Sequence, residues 1–150
     1  MKIIPHIGFG IIKFGMSMKD VTKVLGKQYT EEIEPQPDGG AVHTLVYMDL
    51  MYSLTFTSED DYKLGSITFY AEDTSVFGLQ LIGLEEEEFL ATVATQISDI
   101  ELDDDFVEED ERDYVSDEHD ISFWLQDGVV FSITVLPKYK DDGVTVLWPA

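Results

Sequence analysis

The sequence predicts an α+β fold: one antiparallel sheet built from two tandem helix-plus-meander repeats, with both helices on one face. Three observations lead there. Apolar and hydroxylic residues alternate with a period of two in four separate segments, two Phe-Gly motifs each run into a short amphipathic segment, and these blocks recur in one order at a nearly constant spacing. At 150 residues the chain is expected to form a single domain, 1–150, with units 1–74 and 75–150. Such a domain buries about 70% of the surface exposed by its unfolded chain. Two units do not make a solenoid, so their strands are expected to join edge to edge.

In chain order, Phe9-Gly10 through Gly15 aligns with Phe77-Gly78 through Gly83 at an offset of 68. After the first copy Ser17 reads as a helix N-cap with Asp20 three residues on, Met18, Val21, Val24 and Leu25 share a face, and Gly26 is the stop. Pro35 to Gly40 marks a loop. Leu54 and Phe56, then Ile67 and Phe69, face one way, while Ser53, Thr55, Ser66, Thr68 and Tyr70 face the other. In the second unit a helix is expected from about Glu85 to Ile97, with Phe89, Leu90, Val93 and Ile97 at helical spacing. Its opening carboxylates complement the helix dipole by roughly 0.3 to 1 kcal/mol each. Tyr114 matches Tyr47, and Ile121-Ser122-Phe123 matches Leu54-Thr55-Phe56. Ile133 and Val135 repeat the inward parity, with Ser122, Trp124, Ser132 and Thr134 outward. Asp127-Gly128 is a hairpin turn, and Asp142-Gly143 leads into an expected last strand, 144–148.

Charge narrows the function. Thirty-one acidic residues against nine basic ones give −22, and residues 31–120 hold 27 acids against only Lys63 and Arg112. Within them lies the run Glu101, Asp103, Asp104, Asp105, Glu108, Glu109, Asp110, Glu111 and Asp113, read as a loop inserted between helix and sheet. Phosphate would be repelled, which disfavours direct nucleic-acid binding and anionic membranes. No apolar stretch approaches the roughly 20 residues of a membrane span, and the first residues lack a signal-like apolar run, so a cytoplasmic location is expected. The absence of cysteine removes disulfides, thiolate metal sites and Cys nucleophiles.

Catalytic patterns are missing too. His6, His43 and His119 share no ligand or base spacing, and no phosphate-cradling loop or nucleophile elbow occurs. The sixth position counted from Asp103 is Glu108 rather than Gly, so the run is no EF-hand. No catalytic residue, metal or cofactor is expected, and the chain reads as a binding protein rather than an enzyme. The Ser- and Thr-rich outward face carries two aromatic anchors, Tyr70 and Trp124. With the acidic run they make the expected partner-binding surface, presented by a monomer or weak dimer. The partner this chemistry suits is a basic protein, above all a nuclease-like toxin whose phosphate-binding cleft the carboxylates would occupy. An acidic cation-binding or scaffolding module is the alternative.

The segment Phe14-Gly15-Met16-Ser17-Met18-Lys19-Asp20-Val21-Thr22-Lys23-Val24-Leu25-Gly26 resembles the opening of the helix-plus-sheet repeats of the beta-lactamase-inhibitor-protein fold. In size and charge the chain is similar to small acidic immunity proteins of bacterial polymorphic-toxin and contact-dependent inhibition systems. The resemblance implies a concave sheet that grips a partner protein inside the cell.

Overall fold

Tight turns, not long strands, organise the start of the chain. The computed structural model describes residues 1–104 and 108–150. In it β1 (Lys2–Ile4), β2 (Gly8–Phe9) and β3 (Ile12–Lys13) step back on one another. Gly8 makes this possible: its φ is +146°, and a Cβ there would collide with the Ile12 carbonyl. Helix α1 (Met18–Leu25) begins where Ser17 is extended and its Oγ accepts the Asp20 N–H at 3.1 Å. It ends at Gly26, whose φ of +88° suits glycine.

Four strands follow as a meander: β4 (Thr30–Pro35), β5 (Ala41–Tyr47), β6 (Tyr52–Thr57) and β7 (Leu64–Phe69). Next come β8 (Ser75–Val76), β9 (Leu79–Gln80) and α2 (Glu86–Val93). A second meander comprises β10 (Glu101–Leu102), β11 (Glu111–Ser116), β12 (Ile121–Gln126) and β13 (Val129–Val135). The short pair β14 (Lys138–Tyr139) and β15 (Val146–Leu147) closes the chain.

The expectation of one antiparallel sheet from two tandem helix-plus-meander repeats is overturned. The described residues form three sheets, with orders β3-β2-β1-β8-β9, β10-β11-β12-β13-β7-β6-β5-β4 and β14-β15. The first is mixed, because β1 runs parallel to β8 with Ile3 opposite Val76. It also joins the two halves of the chain, with β3, β2 and β1 on one side and β8 and β9 on the other. The reason is length: strands of two or three residues show no alternation, so the Phe-Gly segments read only as lead-ins to helices. Two smaller corrections have similar causes. α2 ends at Val93 rather than Ile97, which remains buried beyond it, and the acidic run is not all loop, since β10 and β11 lie within it.

In the eight-stranded sheet the period of two holds along much of the long strands. Leu45, Tyr47, Leu54, Ile67, Phe69, Phe123 and Ile133 are buried on one face, and Phe89 of α2 packs there at 5.0 Å from Phe123 and 5.7 Å from Tyr114. On the same face Phe9 meets Tyr52 and Phe69 at 5.0 and 5.3 Å, and the Tyr47 hydroxyl donates to the Gly26 carbonyl at 2.9 Å. β7 and β13 join the two meanders, with Phe69 opposite Ile133 and Thr68 opposite Thr134, their hydroxyl oxygens 2.9 Å apart. Among the described residues no helix is long and apolar enough to cross a membrane.

Candidate functional site

Arg112 and Glu86 define an acidic cleft at one end of the large sheet. Arg112 projects from β11, and Glu86 stands at the start of α2. The guanidinium Nη1 donates to both Glu86 carboxylate oxygens at 2.8 Å, and the Tyr114 hydroxyl donates to Oε2 at 2.7 Å. That Tyr114 hydrogen bond, working against partial burial and helped by Arg112, holds the Glu86 carboxyl below its usual range. The only guanidinium of the chain is therefore engaged. Around it Glu86, Glu109, Asp110, Leu125, Asp127 and Gly128 complete a cleft of about 340 Å³, whose carboxylates outnumber its one cation by four to one. The Asp127 N–H donates to the Asp110 carbonyl at 2.8 Å, which ties the acidic segment to the β12–β13 hairpin, and the Glu108 N–H donates to the Glu111 carbonyl at 3.0 Å within the segment.

The expected partner-binding residues are only partly brought together. Glu109 and Asp110 line the cleft, Glu108 is exposed beside them, and Glu111 is half-buried opposite Gln126. Glu101 is exposed on β10 opposite Val115, and Asp104 is exposed. Asp103 is half-buried and its N–H donates to the Asp113 carbonyl at 2.8 Å. Asp113 lies on the open face of the sheet, opposite Trp124. Burial, reinforced by the charge of Asp103, pushes its carboxyl up to about 6. Asp105 lies outside the described residues.

Tyr70 and Trp124 occupy the same open face. Trp124 pairs with Ser132, and the β13–β7 register carries Tyr70 to the other side of that serine. The two aromatic residues thus flank Ser132 two strand spacings apart, about 10 Å. Ser132 and Ser53 on this face are 6% and 7% exposed, so the hydroxylic surface is closely covered at its centre.

Sequence reasoning missed Phe131 and the methionines beside Tyr70. Counting back from Ile133 by twos directs Phe131 inward, yet it is 50% exposed while Val130 is buried. The β12–β13 register shifts between Trp124 and Leu125, so Phe131 is the extra residue of a bulge on β13, without a partner, and the parity reverses there. The signal available was the Asp127-Gly128 turn so close by, since bulges gather near hairpin ends.

The histidines stay apart. His6 Nε2 lies 3.0 Å from Asp120, and His43 Nδ1 lies 2.8 Å from Glu31. His119 joins Asp99 and Glu118 in a group whose ligand atoms lie within 4.8 Å of one another. Asp99 already caps the turn there, accepting from the Ser116 hydroxyl at 2.6 Å and the Glu118 N–H at 2.9 Å. Burial would raise its carboxyl, but these hydrogen bonds and nearby His119 outweigh that and hold it low. A cation there would have an oxygen from each acid and a ring nitrogen, although turn capping explains the cluster without one. No protein-family model matches the chain, and neither a curated protein nor a solved structure matches it.

Proposed function

We propose that the chain is an immunity or inhibitor protein, working in the cytoplasm, that binds and neutralises a basic toxin enzyme, a nuclease above all, through its acidic surface. The observation that carries this reading is the cleft at Arg112: its one cation is held by Glu86, so Glu109, Asp110 and Asp127 are left to meet cations from outside. A partner whose cleft is built for phosphate offers those cations. Opposite fields of this size steer association toward about 10⁸ M⁻¹s⁻¹ or faster. Tyr70 and Trp124 on the open face add rigid anchors of the kind that dominate protein interfaces. The Phe14 to Gly26 resemblance agrees with this role.

The test is capture. Immobilised protein at low salt should retain a basic protein from bacterial lysate, identified by mass spectrometry and then purified. Reversing Asp103, Asp104, Asp105, Glu108 and Glu109 together to Lys should abolish its binding while the folded circular-dichroism spectrum persists. Undiminished binding by that variant would remove the acidic run from the site.

A further inference from the structure

The surface around Tyr70 holds a second feature, an aromatic groove with an acidic rim. Two clefts adjoin there and share Met51 and Tyr70. One, of about 380 Å³, runs past Met48 to Glu32, and the other, of about 610 Å³, runs past Phe131 to Glu72 and Asp73. Their walls are unusually open for apolar side chains: Met48 is 74% exposed, Met51 47% and Phe131 50%. The Phe131 and Tyr70 rings meet edge to face at 5.8 Å. This exposure is built rather than incidental, because the β13 bulge turns Phe131 outward and the αL conformation of Met51, at φ +59°, follows the turn Met48–Leu50. Glu72 lies beside Gly83, where a Cβ would come within 2.9 Å of its Oε1.

Charge decides the occupant. Anionic lipid and a second copy of this chain would each bring negative charge against Glu32, Glu72 and Asp73, on a molecule of net −22. A lysine would meet the carboxylates but leave the rings poorly used, since ammonium is compact and strongly hydrated. Arginine satisfies both. Its flat, weakly hydrated guanidinium stacks on aromatic faces and sulfur-bearing side chains while its N–H groups reach carboxylates. We propose that this groove receives arginine side chains of the basic partner. The inference rests on the basic-partner reading above and names the chemistry of a second contact point, separate from the Arg112 cleft.

The test uses the whole ¹⁵N-labelled chain titrated with the peptide acetyl-Gly-Arg-Gly-Arg-Gly-amide and with its lysine counterpart at equal ionic strength. Saturable amide shifts are expected at Met51, Tyr70, Ala71 and Phe131. The arginine peptide should bind about three- to fivefold more tightly than the lysine one, the size of an exposed cation–π contact. Phe131→Ala, at an exposed position, should erase that preference, and Tyr70→Phe should largely keep it. Equal binding of the two peptides, absence of saturable shifts at these residues, or an arginine preference surviving Phe131→Ala would each overturn the proposal. The five-lysine variant separates the two ideas. Groove shifts that persist in it, alongside partner capture that is indifferent to its charges, would remove the acidic run from the toxin site and leave the groove standing. Capture that depends on those charges, with no arginine preference at the groove, would sink the groove alone.

Discussion

Thr74 is fully buried, and its hydroxyl has no hydrogen-bond partner among the described residues. A hydroxyl left this way loses its water without replacement, so Thr74→Val, which keeps the shape, should raise stability by about 1 kcal/mol. A rise in the urea midpoint at unchanged slope is the readout. Asp113 behaves differently because its ionisation depends on pH. Its carboxyl, ordinarily at 3.8, is held at about 6, so the folded state binds the proton more tightly than the unfolded chain does. Stability therefore falls as pH rises from about 4 through 6, and that loss is complete above 6. Asp113→Asn should be more stable than the parent at pH 7, with the gain vanishing below pH 4 in thermal melts. At this scale the alternation placed Tyr70 and Trp124 outward from residue types alone. It could not place Phe131, whose orientation depends on a bulge, nor show that Asp113 faces Trp124, which depends on register between strands.

Among the elements, α1 was readable in advance because Ser17, Asp20 and Gly26 act within one turn of the helix. Ser17→Ala should cost about 1 kcal/mol by removing the acceptor of the Asp20 N–H, measured by chemical denaturation. α2 lacks such a cap: the Glu85 side chain makes no capping bond, and the Gly128 carbonyl accepts the Glu86 N–H at 2.8 Å instead. That partner lies 42 residues away in the chain, beyond any local pattern. The long strands β6, β7 and β12 were legible through their buried parity, as was β13 from Ser132 onward. The five-stranded sheet was not, because its short strands owe their pairing to glycine turns and to the parallel contact of Ile3 with Val76. Ile133→Ala, fully buried where β13 meets β7, should cost about 2–5 kcal/mol.

For the whole molecule, composition revealed the field but not its focus. Counting carboxylates located the acidic run, whereas the gathering of Glu86, Glu109, Asp110 and Asp127 around Arg112 needed α2, β11 and the β12–β13 hairpin to converge. A net charge of −22 also opposes compaction, so moderate salt should raise the melting temperature of the free protein by screening its self-repulsion. Salt acts on the proposed complex with the opposite sign, since there it screens attraction. The dissociation constant of the captured basic partner, measured from low to roughly three times physiological ionic strength, is the most direct test. An affinity that falls steeply across that range, mainly through a slower association rate, is the predicted result. An affinity indifferent to salt would contradict electrostatic recognition by the acidic surface.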